Sequence, residues 1–438
     1  MANLNTCFIQ LRIKSDSKMK MITGVDILDE EIKEKLTTEN IYKIFNNFIF
    51  PLITEEERDF LKELEKFLLK EIEPKIHLTE EVYDLFPILG KKHYIQRLNP
   101  CEDSEQINMR YELLLAMATS IIDPELDLAR VVTGVIFANP LFQFGRGDRI
   151  SEILHEIITG KKIGCICITE RKHGSDAVNM ETKVVDKGDH VVISGEKLYT
   201  TNGPVADYFI VYGVSDISDP RGTMYQAIAE RGYEGLITNR LGVQSVPRVQ
   251  IGQSLFNSVK IPRENILGTK GQGYKNLFSG LVAERCSIIG SSLGIGWLTA
   301  VTGLIYTNLR IQFGRPIYDF QGVSLPQTQN FTELMAATEL GFKTASEYNK
   351  TAERKHFDQQ KFVKYNAAFS SGTKYLASHL AHKISYETQQ LCGGIAFTDN
   401  LRIDKALEVA KVQEIIGGAR NIQLYLVSRA IKDMISLL

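Results

Sequence analysis

The chain has 438 residues, 44% of them hydrophobic and 24% charged, which is an ordinary globular composition and enough sequence for about three domains. Its 51 Lys and Arg residues balance 53 Asp and Glu residues, so nothing indicates a nucleic-acid-binding protein. The six cysteines include no CxxC pair, and we therefore expect neither a disulfide framework nor a metal site.

The N-terminus begins MANLNTCFIQ and is mildly basic, but it lacks the apolar core of a signal peptide, so we expect a flexible extension there. No apolar run reaches the roughly 18 residues that a membrane span needs, and we expect no span. The cysteine pattern favours a reducing compartment. We expect a cytoplasmic protein, with an organellar matrix as the alternative.

The first third of the chain after the extension has helical periodicity. Thr54 and Glu57 form a candidate capping box, and apolar residues follow at helical spacing. A second amphipathic pattern runs through Ile150, Ile153 and Ile157. These patterns predict an extension over residues 1–48 and a helical domain over residues 49–160.

The period then changes to short β-rich runs separated by Gly, Asp, Asn and Pro, such as KIGCICITE and YFIVYGV. They predict a β domain over residues 161–275. No βαβ alternation is present, and GTKGQG lacks the spacing of a dinucleotide fingerprint, so a Rossmann domain is not expected.

Helical periodicity returns in four long segments, near residues 276–310, 325–354, 358–392 and 402–436. They predict a C-terminal four-helix bundle over residues 276–438 and an α+β fold that is mostly α. Gly417 and Gly418 interrupt the last segment, and each glycine costs a helix interior about 1 kcal/mol relative to alanine. The pair therefore indicates a twist of the backbone or a close approach.

One carboxylate falls on the apolar stripe of the first bundle helix, where Leu277, Leu281, Glu284 and Ile288 are spaced by four, three and four residues. Glu284 either lies at the edge of the stripe and reaches water, or is desolvated with a raised pKa suited to removing a weakly acidic proton. The spacing alone leaves both interpretations open.

Three loops carry polar groups that suit a cofactor. CITERKHGSD, residues 167–176, follows a strand and offers hydroxyls and main-chain N–H groups, or is a plain Ser/Asp turn. EKLYTTNG equally suits a hairpin. RIQFGRPI, residues 310–317, joins two helices and places two arginines around an aromatic, for a phosphate, a neighbouring subunit or solvent.

Taken in order, these stretches resemble the acyl-CoA dehydrogenase family from about residue 50 to the end. TERKHGSD resembles the family signature TEPxxGSD, YTTNG resembles WITNG, RIQFGRPI resembles RxQFGKPI, and QLCGGIAFT resembles QxxGGxGYT. IPRENILG resembles the loop that leads into the bundle. The resemblance implies a helical domain, a β domain and a bundle, usually assembled as a homotetramer with one FAD per subunit.

The resemblance also assigns cofactor contacts. Ile168, Thr169 and Ser175 are implied to lie against the flavin and its pyrophosphate, and Tyr199 and Thr201 to flank the ring. From a neighbouring subunit, the rest of the FAD is implied to contact Arg310, Phe313, Gln321, Gln390, Gly393 and Gly394. Ser175 and Arg285 are also expected to contact the substrate.

Many members of the family place the catalytic Glu at the position of Gly417. A subset that resembles the isovaleryl-CoA and long-chain enzymes supplies it from the first bundle helix, directly before an Arg, as Glu284 and Arg285 stand here. The resemblance thus implies α,β-dehydrogenation of an acyl-CoA, with Glu284 as the base and Gly417 as a main-chain donor to the thioester oxygen. An electron-transfer flavoprotein is the implied electron acceptor.

Two other functions stay open. The HGS of residues 173–175 also resembles acyl-CoA oxidases, which pass electrons to oxygen. The second alternative is a catalytically silent subunit that pairs with an active paralogue. Departures from the family pattern, Arg171, Ala396, Ala419 and Val409 among them, leave the acyl chain that the protein prefers undetermined.

Overall fold

We analysed a computed structural model, which describes residues 28–99, 107–352 and 359–435. Nine helices precede the sheet within these residues: α1 (Glu30–Lys35), α2 (Thr38–Ile49), α3 (Glu55–Phe67), α4 (Glu73–Ile76), α5 (Phe86–Gly90), α6 (Met109–Ile122), α7 (Pro124–Val131), α8 (Ala138–Phe144) and α9 (Asp148–Ile158). Two π-helical segments, Leu68–Ile72 and Val132–Phe137, continue α3 and α7.

The predicted start of α3 is confirmed atom by atom. The Glu57 N–H donates to Thr54 Oγ1 at 3.2 Å, and the Thr54 N–H donates to Glu57 Oε2 at 2.9 Å. This reciprocal pair satisfies two main-chain donors that the first turn would otherwise leave open. The predicted amphipathic pattern near residue 150 forms α9, which buries Ile150, Ile153 and Ile157.

The segment predicted as an N-terminal extension contains folded helices. The apolar side of α2 buries Ile41, Tyr42, Phe45 and Ile49 in the largest core cluster, and the Tyr42 hydroxyl donates to the carbonyl of Ala118 at 2.7 Å. Residues 38–49 therefore pack as part of the helical region, although their sequence precedes the resemblance. The first 27 residues lie outside the described residues.

The middle of the chain forms a seven-stranded mixed sheet with the strand order β1-β4-β2-β3-β7-β6 and with β5 paired to β4. Its strands are β1 (Gly164–Cys167), β2 (Lys183–Asp186), β3 (His190–Thr201), β4 (Tyr208–Val214), β5 (Met224–Glu230), β6 (Leu236–Arg240) and β7 (Ile251–Pro262). Every residue of β4 is buried, which fits its unbroken apolar sequence YFIVYGV. A short helix, α10 (Pro220–Thr223), precedes β5.

The last third is helical, as predicted: α11 (Gln272–Leu309), α12 (Gln321–Ala352), α13 (Gln359–Cys392), α14 (Ile403–Ile415) and α15 (Arg420–Ile435). A two-stranded ribbon of β8 (Ile311–Gln312) and β9 (Arg315–Pro316) joins α11 to α12. The predicted fourth helix, 402–436, is wrong as a single helix. It is divided into α14 and α15 by Gly417 and Gly418, whose φ angles are 63° and 97°.

Helix α11 resembles a membrane span in sequence but is buried inside the protein. By length and composition it could cross a membrane, contrary to our expectation that no stretch would qualify, but 89% of its most apolar 18 residues are buried inside the protein. It packs against α6, α12 and α13. A helix that is apolar on all sides is expected at the centre of a large protein.

A buried ionic cluster joins the helical region to α11. Arg130 pairs with Glu112 at 2.8 Å and with Asp127 at 2.7 Å, and none of the three side chains is exposed. Ser291 of α11 donates to the same Asp127 carboxylate. Because a buried charge without its partner is costly, the cluster requires all its members.

We expect Arg130→Met to destabilise the protein by about 3–5 kcal/mol, because Glu112 and Asp127 would lose their buried counter-ion. The measurement is the thermal unfolding midpoint at neutral pH. Lys43→Met is the matched control, since Lys43 pairs with Glu39 while both are more than half exposed, and such pairs contribute about 0–1 kcal/mol. Equal midpoints for the two variants would contradict the role of the cluster.

Candidate active site

Glu284 lies one third of the way along α11 and is 8% exposed. Burial raises its pKa to about 7, while the nearby cations of Arg285 and Lys374 oppose the rise. Of the two interpretations of the sequence, the desolvated carboxylate is the one that the structure contains. A group with this pKa is partly ionised at neutral pH, which suits a general base.

The turn between α14 and α15 lies directly against this carboxylate. A Cβ atom placed on Gly417 would lie 3.2 Å from Glu284 Oε1 and only 2.6 Å from Ile288 Cδ1. Its φ of 63° is left-handed, a conformation that non-glycine residues adopt at a cost of about 1–2 kcal/mol. Both reasons that the sequence offered for a glycine, a twist and a close approach, thus apply at Gly417.

Three side chains hold the carbonyls of this turn. Arg285 Nε donates to the Gly417 carbonyl at 3.3 Å, and Gln423 Nε2 donates to it at 2.9 Å and to the Gly418 carbonyl at 2.7 Å. Lys374 Nζ donates to the Gly418 carbonyl at 3.1 Å. The Gly417 N–H, by contrast, has no hydrogen-bond acceptor among the described residues. The turn therefore presents a free N–H donor beside a buried carboxylate.

The loop after β1 is held by a buried ion pair. Lys197 is fully buried, and its Nζ donates to Glu170 Oε1 at 2.8 Å and to the carbonyl of Ile168 at 3.0 Å. Thr169 accepts a hydrogen bond from the Leu198 N–H at 2.8 Å. Ser175 is exposed farther along the same loop. Ile168 and Thr169 are thus fixed and half-buried, whereas the Ser175 hydroxyl faces solvent.

Tyr199, near the end of β3, is exposed to solvent and lies three residues before Asn202, which is held by hydrogen bonds. Tyr199 is 67% exposed with a φ of 55°, and Thr201 is half-buried. Asn202 accepts from the Tyr83 hydroxyl at 2.8 Å and donates to the Ala129 carbonyl at 2.9 Å. These bonds attach the TTNG turn to the helical region. They hold the main chain close to Tyr199, whose ring is exposed to solvent.

The second group of expected cofactor contacts lies at the other end of α11. Arg310, Gly393 and Gly394 line one cavity of about 420 Å³ together with residues of α1, and Arg310 lies 3.7 Å from Asp29. Phe313 is 93% exposed in the β8–β9 ribbon. Two glutamines, Gln321 and Gln390, are exposed near the start of α12 and the end of α13.

The Arg310 group lies far from Glu284 along α11. Arg310 follows Glu284 by 26 residues, all but the last within α11, which corresponds to about 39 Å along the helix axis. The structure brings Glu284, Arg285 and Gly417 together, and it brings Arg310, Gly393 and Gly394 together, but it keeps the two sets apart.

Sequence reasoning missed Lys374, Gln423, Glu170 and Lys197. Lys374, Glu170 and Lys197 act through contacts with residues distant in the chain, and Gln423 acts through contacts across the Gly417–Gly418 turn. The only available signal for Lys374 was a lysine among the small residues of α13. No group of three or more potential metal ligands occurs among the described residues. Four cysteines, Cys165, Cys167, Cys286 and Cys392, are free and buried, and Cys7 and Cys101 lie outside the described residues.

Comparison with known proteins identifies the class to which this fold and site belong. The family model "Acyl-CoA dehydrogenase, middle domain" matches residues 165–253, and "Acyl-CoA dehydrogenase, C-terminal domain" matches residues 271–432. The two matches together span more than half of the chain. The chain therefore belongs to the acyl-CoA dehydrogenase family of oxidoreductases, as the resemblance predicted.

Individual relatives are similar at moderate identity. A short-chain specific acyl-CoA dehydrogenase of Megasphaera elsdenii is 26% identical over 393 residues, covering 86% of this chain and 98% of the relative. The CarC subunit of a caffeyl-CoA reductase-Etf complex of Acetobacterium woodii is 26% identical over 85% of this chain and 95% of the relative. A solved FAD-dependent dehydrogenase is 20% identical with a TM-score of 0.79, covering 87% of this chain and 98% of that one.

We expect Gly417→Ala to slow the reaction strongly and to lower the unfolding midpoint, because the new methyl group meets Ile288 and the backbone is left-handed. The measurements are thermal unfolding and turnover at saturating substrate. Gly322→Ala in α12 is the control, since a Cβ there has open space. A Gly417→Ala enzyme that matched Gly322→Ala in both measurements would show that the close approach is unimportant.

Proposed function

We propose that the protein dehydrogenates an acyl-CoA thioester to the trans-2-enoyl-CoA with FAD as the oxidant and Glu284 as the base that removes the α-proton. The observation that carries the proposal is the buried Glu284 carboxylate against the Gly417 turn, with a pKa near 7. Glu284 is placed where the isovaleryl-CoA and long-chain members carry their base, and family membership supports the reaction.

The residues present fit an FAD. The exposed ring of Tyr199 offers a planar face, and the hydroxyls of Thr169 and Ser175 offer donors on the neighbouring loop. At the other end of α11, the guanidinium of Arg310 and the main chain of Gly393 and Gly394 surround a cavity of about 420 Å³, a donor set suited to a pyrophosphate. The proposal also includes contacts of the flavin with Ile168 and Thr201, and contacts of the rest of the FAD with Phe313, Gln321 and Gln390.

In the proposed reaction the protein removes the α-proton and donates a hydrogen bond to the thioester oxygen. FAD, when bound, accepts the β-hydrogen as a hydride. Glu284 takes the α-proton on a carboxylate oxygen as the Cα–H bond breaks, and the electron pair moves toward the thioester carbonyl. The free Gly417 N–H donates to the carbonyl oxygen that gains negative charge, and such preorganised donors typically lower the barrier by a few kcal/mol.

The distance along α11 supports an assembly in which each FAD is shared by two chains. The flavin ring would contact Ile168 and Tyr199 of one subunit, and the nucleotide end would contact the Arg310 region of a neighbour. A homotetramer, as is usual in the family, satisfies this requirement. The mass of the FAD-loaded protein in solution tests it, and a monomer that retains stoichiometric FAD would rule it out.

An electron-transfer flavoprotein is the proposed acceptor of the electrons. The relative CarC, by its name, works in a complex with such a flavoprotein, and its alignment covers 85% of this chain.

The free buried thiols are consistent with a reducing compartment such as the cytoplasm. Rapid reoxidation of the reduced protein by oxygen would instead support an acyl-CoA oxidase, and failure to retain FAD would support a silent subunit.

We expect Glu284→Gln to lose at least about 1,000-fold in the rate of flavin reduction by acyl-CoA, since the amide cannot accept the α-proton. The measurement is anaerobic bleaching of the flavin, with short, branched, long and cyclic acyl-CoAs tested in turn. Glu65→Gln is the matched control, because Glu65 is also buried, with a pKa raised to about 8 by burial, but lies in α3. Undiminished bleaching in Glu284→Gln would refute the assignment.

The acid limb of kcat/KM is expected at about pH 7. Burial raises the pKa of Glu284 from 4.5 to about 7, and the base acts only when deprotonated, so activity should rise with pH through this value. A profile of kcat/KM from pH 5.5 to 9 reports the free enzyme. A kcat/KM that stays constant down to pH 5.5 would show that the carboxylate is solvated or that another group is the base.

A further inference from the structure

Lys374 is a fully buried lysine that contacts the turn lying against the proposed base. It lies on α13 and has no exposed surface. Its Nζ donates to the carbonyl of Glu414 at 3.2 Å and to that of Gly418 at 3.1 Å, rather than to a carboxylate. A buried ammonium that is paired only with carbonyls is costly, because two neutral acceptors replace water and no negative charge compensates it directly.

The two carbonyls bracket the turn that carries Gly417. Glu414 lies in the last turn of α14, and Gly418 directly precedes the residues that lead into α15. One side chain therefore ties both sides of the turn to α13. Gln423 and Arg285 hold the same turn from α15 and α11, so the carbonyls of Gly417 and Gly418 are fixed from three helices.

The negative charge that compensates Lys374 is provided by groups around the turn. Burial lowers the pKa of Lys374 to about 8, and Arg285 also lowers it, while the carboxylates of Glu284 and Glu414 oppose the fall. Reciprocally, Lys374 and Arg285 lower the pKa of Glu284. Tyr212 on β4 also interacts electrostatically with Glu284, and its buried hydroxyl accepts a hydrogen bond from Gln226.

We propose that Lys374 is a positioning residue for the reaction proposed above: it fixes the Gly417 N–H toward the thioester oxygen and supplies the positive charge that keeps Glu284 ionised in a dry site. The proposal rests on the assignment of Glu284 as the base. A residue that only held the turn would be replaceable by any side chain that hydrogen-bonds the two carbonyls. A residue that also supplies charge must set the pH at which the base works.

The test is the pH profile of anaerobic flavin reduction in Lys374→Met and Lys374→Arg. Loss of a close opposite charge typically raises a carboxylate pKa by about 1–3 units, so the acid limb of Lys374→Met should move up by at least about one pH unit. At pH 7 that corresponds to a rate about five-fold lower for a one-unit shift. Lys374→Arg keeps the positive charge, so its acid limb should move less than that of Lys374→Met.

The matched control is Lys383→Met, which removes a lysine from the same helix that pairs with Glu333 on α12 at 2.6 Å. Its pH profile should equal that of the wild type. An unshifted acid limb in Lys374→Met would overturn the proposal. If Lys374→Met does not fold, Lys374→Gln takes its place, because its amide can still donate to carbonyls but carries no charge. If neither variant folds, Lys374→Arg decides, and a shifted acid limb in that variant would overturn the proposal.

The outcome for Glu284→Gln separates this inference from the proposed function. If Glu284→Gln bleaches the flavin normally, the proposed function fails whatever Lys374 does. If Glu284→Gln is inactive and Lys374→Met keeps the wild-type acid limb, only the role of Lys374 fails. FAD content and the flavin absorption spectrum, measured in every variant, show whether the site is still assembled.

Discussion

The burial of α11 on every side is the constraint on which the rest of the structure depends. Its 38 residues run through the protein from the middle sheet to the β8–β9 ribbon, and most of them are buried. Because the central part of the helix is buried on all sides, an ionisable group there needs compensation within the protein. Glu284 is compensated by Arg285 of the same helix and by Lys374 of α13. Ser291 of α11 in turn donates a hydrogen bond to Asp127 in the Arg130 cluster. The same burial desolvates Glu284 and so moves its pKa toward neutrality.

The Gly417 turn packs directly against the buried carboxylate of Glu284. In many members of the family the base itself occupies this position. Here the glycine lets the turn approach Glu284 Oε1 closely and keeps a main-chain donor, so the proposed base and the proposed donor come from different elements. Separating them requires that α11 and the turn be held in a fixed relation. The hydrogen bonds from Arg285, Gln423 and Lys374 to the turn satisfy that requirement.

Local signals predicted much of this fold. The capping box of α3, the stripe of α9 and the apolar run of β4 depend on residues close in sequence, and each was recognised there. The spacing of Glu284 within an apolar stripe likewise raised the possibility of a buried carboxylate, and the resemblance to the family strengthened it. The broken last helix was suggested by two glycines but was still predicted as one segment, because the close approach at Gly417 involves Ile288 and Glu284, which lie far away in the chain.

The buried cations of this protein were missed by sequence reasoning for one physical reason. Lys374, Lys197 and Arg130 are fully buried cations, and a cation is ordinarily expected on the surface. Each is stabilised by acceptors that only the folded chain assembles: carbonyls at the Gly417 turn for Lys374, Glu170 for Lys197, and Glu112 with Asp127 for Arg130. A periodicity argument treats such residues as solvated and cannot place them. In this protein two of the three adjoin the proposed active site, which is where a buried charge that is costly for folding can serve the chemistry.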